Sequence, residues 1–149
     1  IAYKENFKDI DYKKQIPNFT VPLHKWWGID ELQLYDPGVP EHSKLPTKKA
    51  DLVICTDVLE HIPEEDLDWV MREICSLSNS VVFINVSSQP AKKTFTSGKY
   101  KGDNVHVSLF DHKWWVDKVK TVHKDYKDLK IYLTSTEKTG IMGTCIKGE

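Results

Sequence analysis

The residues best suited to chemistry follow directly after an apolar stretch, residues 52–55. Thr56, Asp57, Glu60 and His61 lie within the next six positions. Carboxylates and an imidazole can accept hydrogen bonds, orient a substrate or move a proton. In open α/β sheets, ligands bind at the carboxyl ends of the strands, and these side chains emerge at such an end. They are therefore the first candidates for a ligand-binding site.

The same residues also have a purely structural interpretation. Asp57 and Glu60 have the spacing of a capping box, so Glu60 could instead satisfy the first amides of a helical turn. Pro63 and the three acids after it suit the start of the next helix. A packing role for His61 competes with a catalytic one. Both interpretations stay open from these residues alone.

Two later positions are predicted to reach the same region. Asn85 ends the next apolar stretch, and parallel strands end together, so we expect it beside Asp57. Asn104 and His106 lie on one side of an extended segment. An amide could hold a substrate and an imidazole could act as a base. A loop-ordering amide and a solvated pair are the alternatives.

The spacing of apolar residues predicts the elements that position these groups. Residues 52–55 and 81–84 are apolar and predict two strands, of which 81–84 is too uniformly apolar to have a solvated face. Between them, Leu67, Val70 and Ile74 share one face of a helix that residues 78–80 should end. The stretch 50–85 is therefore predicted to be a right-handed βαβ unit in a parallel sheet covered on both faces.

The carboxyl half continues the pattern. Residues 86–102 form a long polar loop, for which a functional lid and simple disorder are equal interpretations. Ser108 begins a capping-box pattern before a helix in which Trp115, Val119 and Val122 share a face. Two alternating stretches, 129–134 and 141–147, predict a terminal antiparallel hairpin.

The amino-terminal part is harder to interpret. We predict a helix over residues 3–15 and a short strand over residues 32–35. Asp36 then stands either at the carboxyl end of that strand, as a ligand-binding acid, or simply at the start of a Pro-Gly turn.

Composition sets the class of protein. The 149 residues are 40% hydrophobic and carry a net charge of −1, which predicts one domain and no field favouring nucleic acid or an anionic membrane without a local patch. No apolar run reaches the ~20 residues of a membrane helix, so a cytoplasmic protein is expected. The odd number of cysteines and the absence of CxxC predict buried thiols (Cys55, Cys75 and Cys145) and no metal site.

The string ADLVICTDVLEHIPEEDL resembles the class I S-adenosylmethionine-dependent methyltransferases, which often have an apolar strand, (S/T)-x-V-L-E-H-(I/V)-P and a helix. LYDP is similar to the second strand of that fold, and the resemblance extends over residues 32–147. YDPGVPEHSKLP, PAKK and N-x-H before a Trp-Trp helix are similar to small methyltransferase-like proteins of bacteria and phages.

The resemblance implies a Rossmann-like methyltransferase fold: a mostly parallel, three-layer αβα sheet with a carboxyl-terminal antiparallel hairpin. It also implies S-adenosylmethionine as cofactor. Asp36 would take the ribose hydroxyls, and Thr56, Asp57 and Val58 would lie along the methionine part. Four further residues would surround methyl transfer to an unidentified acceptor, with two flanking the transfer site and two facing the acceptor: Glu60, His61, Asn85 and His106.

One part of the family pattern is missing. Members have a first strand and a glycine-rich loop, usually GxGxG, before the ribose acid, and this chain has neither. We therefore expect one amino-terminally incomplete domain (helix and connector 1–31, sheet core 32–149) with weak or absent cofactor binding. The alternative is a degenerate, non-catalytic interaction or assembly module. Homo-oligomers could form through an exposed sheet edge or the Trp26-Trp27 and Trp114-Trp115 pairs.

Overall fold

The computed structural model describes residues 23–148. The helix predicted over residues 3–15 lies outside them. The chain divides into two compact units, residues 1–46 and 47–149. The prediction of a single domain stays a prediction, and each unit is described by itself.

In the first unit, the described residues contain a short helix, α1 (Leu23–Trp26), and a 3₁₀ turn (Pro40–His42). The strand predicted over residues 32–35 is wrong, since this stretch is not part of any strand that the structure describes. Asp36 instead begins a turn, in which its carbonyl accepts a hydrogen bond from the Val39 amide at 3.0 Å. An alternating pattern of only four residues needs a neighbouring strand to become part of a sheet.

The second unit is an open, four-stranded α/β sheet with two helices. The strand order is β1-β2-β3-β4, the first three strands are parallel and β4 is antiparallel to β3. The predicted βαβ unit and terminal hairpin are therefore confirmed. The elements in chain order are β1 (Ala50–Thr56), α2 (Glu64–Ser76), β2 (Ser78–Ser87), α3 (His112–His123), β3 (Lys130–Glu137) and β4 (Gly140–Ile146).

One hydrophobic core lies between the helices and one face of the sheet. Alternate residues of β2 and β3 point into it, because successive side chains of a strand face opposite sides. The predicted face of α3 is confirmed. The buried residues of the core include Leu67, Met71 and Cys75 from α2, Trp115, Val119 and Val122 from α3, and Val82, Ile84, Val86, Ile131 and Leu133 from the sheet.

The opposite face of the sheet is not covered by helices of residues 47–148. Leu52, Ile54 and Tyr132 on this face are 44%, 38% and 43% exposed. Within residues 47–148, helices cover one face of the sheet where both faces were predicted to be covered, so this unit contains two layers where three were predicted. Uniformly apolar strands are typical of two-sided burial, but an apolar side chain can also remain exposed.

Two element boundaries differ from the prediction. Ser78 begins β2 where residues 78–80 were expected to form a break; its buried hydroxyl donates to the Val81 carbonyl and accepts from the Ser80 amide. Asp111, rather than Ser108, caps α3 by accepting from the Trp114 amide at 2.7 Å.

Among the described residues, no helix is long and apolar enough to span a membrane.

Candidate functional site

The carboxyl ends of β1 and β2 meet, as predicted for parallel neighbours. Thr56 lies opposite Asn85 in the sheet, and the Asp57 amide donates to the Asn85 carbonyl at 3.2 Å. Asp57 then takes φ = 53°, a left-handed conformation that costs a non-glycine residue about 1–3 kcal/mol. Strain of this kind is concentrated at functional sites. Thr56, Asp57 and Val58 are all exposed at this edge.

The side chain of Asn85 is tied to the neighbouring strand. Its amide nitrogen donates to the Thr134 hydroxyl at 2.9 Å, and that hydroxyl lies 3.4 Å from the Ile84 carbonyl, to which it donates. The Asn85 amide therefore bonds to a neighbouring strand rather than ordering a loop, and its role toward a substrate stays a prediction. The side-chain oxygen of Asn85, Oδ1, accepts no hydrogen bond from the described residues.

Glu60 is a fully buried carboxylate. Its Oε1 accepts from the Ser87 amide at 2.9 Å, whereas Oε2 has no hydrogen-bond partner among the residues described. The capping-box interpretation is therefore wrong, since the 3₁₀ turn Leu59–His61 has no side-chain cap. The main chain of Glu60 also binds the end of the segment that joins β2 to α3, because the Glu60 carbonyl accepts from the Val107 and Ser108 amides at 2.8 and 3.0 Å.

Burial makes the thiols of Cys55 and Cys75 unreactive. Burial raises the pKa of the Cys55 thiol to about 12, and the negative charge of Glu60 contributes to that shift. Burial likewise raises the pKa of Cys75 to about 11. Both thiols stay protonated at neutral pH and are poor nucleophiles. The prediction of buried thiols is confirmed for these two and wrong for Cys145, which is exposed on β4.

His61 and His106 form a pair of imidazoles with one defined tautomer. Their ring centroids are 4.7 Å apart, at an interplanar angle of 84°. The Nδ1 atoms lie 2.8 Å from the Val105 carbonyl (His61) and 2.7 Å from the Gln89 carbonyl (His106). A carbonyl can only accept, so each Nδ1 donates its hydrogen and each neutral ring keeps a lone pair on Nε2. No described residue binds either Nε2.

Asn104 closes the long loop at its base. Its side-chain oxygen accepts from the Ala91 and His106 amides at 3.0 and 2.9 Å, and its nitrogen donates to the Ala91 carbonyl at 2.9 Å. Residues Thr94 and Asn104 also form an isolated antiparallel bridge. The loop is therefore ordered, and the N-x-H pattern marks the residues that anchor it. Its role as a lid or substrate loop stays a prediction.

Asp36 belongs to the first unit. Its Oδ1 accepts from the Gly38 amide at 2.9 Å, so the Pro-Gly turn interpretation describes its local structure. Asp36 is exposed. Its role toward the ribose stays a prediction.

A second histidine cluster was missed by the sequence interpretation. His112 is buried, and its two ring nitrogens lie 2.8 Å from the hydroxyls of Ser135 and Thr144. Glu137 accepts from the Ser135 and Ser88 hydroxyls at 3.2 and 2.9 Å. The partners come from β3 and β4, far along the chain, so no local motif could reveal the cluster.

The chain matches no family model, no curated protein and no solved structure. Between residues 23 and 148, no three His, Cys, Asp or Glu side chains are grouped to hold a metal ion. The groups at the sheet edge are instead suited to a cationic ligand, because Glu60 Oε2 and the two Nε2 atoms are acceptors.

Proposed function

We propose that this chain carries out methyl transfer from S-adenosylmethionine to an unidentified acceptor at the carboxyl edge of β1 and β2. The observation that carries the proposal is the group of acceptor atoms without a described partner: Glu60 Oε2 and the Nε2 atoms of His61 and His106. Buried polar atoms are normally paired, so an unpaired buried carboxylate oxygen favours a ligand that pairs it.

The residues divide into two roles. Thr56, Asp57 and Val58 line the methionine part of the cofactor. Glu60 places negative charge near the sulfonium. The proposal therefore assigns the methionine part of the cofactor to the edge of β1.

The imidazole pair and Asn85 act on the acceptor. S-adenosylmethionine supplies an electrophilic methyl group when bound. His61 or His106 removes the proton from the acceptor atom through its Nε2 lone pair, since Nδ1 is already protonated. The carbonyl of the Asn85 side chain accepts from the acceptor and orients it. The protein mainly aligns the partners and excludes water, which is what an in-line displacement requires.

Calorimetric titration of the chain with S-adenosylmethionine and S-adenosylhomocysteine tests cofactor binding. We expect weak but saturable binding that Asp57→Ala reduces at least tenfold. Asp51→Ala is the matched control, because Asp51 is an exposed acid at the opposite end of β1. Absence of heat at millimolar ligand, or equal loss in the control, would contradict the proposal.

The second candidate is a non-catalytic interaction module. It is favoured by the exposed Leu52 and Ile54 on β1, which is an edge strand of the described sheet. Apolar side chains on such an edge promote association with another chain. Sedimentation analysis would then show self-association that Ile54→Lys abolishes, together with no response to S-adenosylmethionine.

A further inference from the structure

The loop between β2 and α3 concentrates positive charge. Residues 89–104 contain four lysines and one acid, Asp103, although the whole chain has a net charge of −1. All four lysines are exposed, and none forms an ion pair with a described acid: Lys92, Lys93, Lys99 and Lys101. This is the local patch that the overall composition does not reveal.

The loop presents these lysines on a folded hairpin. The Phe95 amide donates to the Asp103 carbonyl, and the Gly102 amide donates to the Phe95 carbonyl, both at 2.9 Å. Gly98 and Gly102 have φ values of 77° and 93°, which only glycine adopts easily, and they turn the chain. Because the hairpin is already ordered, binding an anion requires little further loss of conformational entropy.

An aromatic ring lies among the charges. Tyr100 stands between Lys99 and Lys101 and is 50% exposed. The Lys99 ammonium lies 5.2 Å from the centre of its ring, and the Phe95 ring is 6.0 Å away. Proteins that bind single strands combine lysines for the phosphates with exposed aromatic rings on which bases stack. An anionic membrane or an acidic peptide would use the lysines without needing the ring.

We propose that this basic hairpin, residues 89–104, binds single-stranded nucleic acid. Its base is anchored by Asn104, and His106 lies two residues further along the chain, so a bound strand would lie beside the imidazole pair. The hairpin carries the binding by itself. Only the further step, that this strand is the methyl acceptor, rests on the proposed function.

Fluorescence anisotropy of a labelled 12-nucleotide oligothymidylate, measured without cofactor, tests the proposal. Each phosphate contact with a single strand contributes about −0.7 to the slope of log K against log salt concentration, so four contacts predict a slope of about −2.8. Changing Lys92, Lys93, Lys99 and Lys101 to Gln should weaken binding at least tenfold and flatten that slope. Tyr100→Ala should weaken binding about tenfold at constant salt, since it removes a stacking surface.

A matched control separates the effect of the hairpin lysines on affinity from the effect of the net charge of the chain. Changing the exposed Lys120, Lys124, Lys127 and Lys130 to Gln removes the same charge elsewhere and should leave affinity within twofold. Equal loss in this control would overturn the proposal. So would full binding after Tyr100→Ala, or binding to phosphatidylserine vesicles but not to the oligonucleotide. Oligonucleotide binding by a chain that gives no heat with S-adenosylmethionine would remove the methyl-transfer function and leave this proposal standing.

Discussion

Two histidine regions of the second unit differ in how completely their polar atoms are paired. His112 is buried, and both ring nitrogens contact hydroxyls of the sheet. His61 and His106 each use only Nδ1, and Glu60 beside them uses only one carboxylate oxygen within the described chain. A fully paired cluster stabilises a fold, whereas unpaired acceptors weaken it unless a ligand binds. The comparison indicates a structural role for the His112 region, and it supports the proposal that the His61–His106 region is a site.

The largest difference is expected from removing one histidine of each region. His112→Ala removes the imidazole partner of the Thr144 hydroxyl and one of the two partners of the Ser135 hydroxyl, and it opens a cavity, so it should lower the free energy of unfolding by about 2–4 kcal/mol. His106→Ala removes a half-buried ring and should cost about 1 kcal/mol. Urea denaturation of both variants measures this, and equal losses would remove the distinction.

A smaller effect of opposite sign is expected at Glu60. Glu60→Gln can keep the bond from the Ser87 amide while it removes a buried charge, so the free energy of unfolding should rise by about 1 kcal/mol. Cofactor binding should fall in the same variant. Glu137→Gln is the matched control in the paired region, where the carboxylate accepts from two hydroxyls. A loss of stability in Glu60→Gln would show that the negative charge of Glu60 stabilises the folded chain, which would contradict this prediction.

Alkaline pH should weaken the fold through Cys55. The thiol ionises at an ordinary pKa of 9.0 when unfolded and at about 12 when folded. The folded chain therefore holds the proton longer, and its stability falls as pH rises from about 9 toward 12, by at most about 1.4 kcal/mol for each pH unit. Cys55→Ala should reduce this slope and Cys145→Ala should not. Equal slopes in the two variants would contradict the effect of burial.

The smallest effect is expected from the surface ion pairs of α2. Arg72 donates to Asp68 at 2.8 Å and, with Lys118, lowers the pKa of that carboxyl. The associated stability is present above the ordinary pKa of 3.8 and is lost as pH falls below it. Because the Asp68 side chain is 43% exposed and screened by solvent, Asp68→Asn should change acid unfolding only slightly. A large change in the acid midpoint would mean that the pair is not screened.

The predictable part of the fold was local. Apolar periodicity indicated β1, α2, β2 and the buried face of α3, because these patterns repeat within a few residues. The strand at residues 32–35 failed, since strand formation depends on a partner that a short pattern does not contain. The capping interpretation of Glu60 failed for the same reason, because its partner Ser87 lies 27 residues away.

The site was predicted only in outline. Because the carboxyl ends of parallel strands meet at one edge of a sheet, Asp57 and Asn85 were predicted to lie together, and they do. The structure also places the rings of His61 and His106 in contact. Sequence could not show which imidazole nitrogen carries the proton, because the carbonyls of Val105 and Gln89 decide it. The His112 cluster was missed because its partners meet only in the folded sheet.

Long-range ¹H–¹⁵N spectra of the histidine side chains test the central claim most directly, because they report the protonation of each ring nitrogen. We predict Nδ1–H tautomers for His61 and His106 at pH 8, and Nε2 shifts of both rings on addition of S-adenosylhomocysteine, while His112 stays unchanged. Unchanged His61 and His106 signals at millimolar ligand, or equal changes at His112, would contradict the assignment of the sheet edge as the cofactor site.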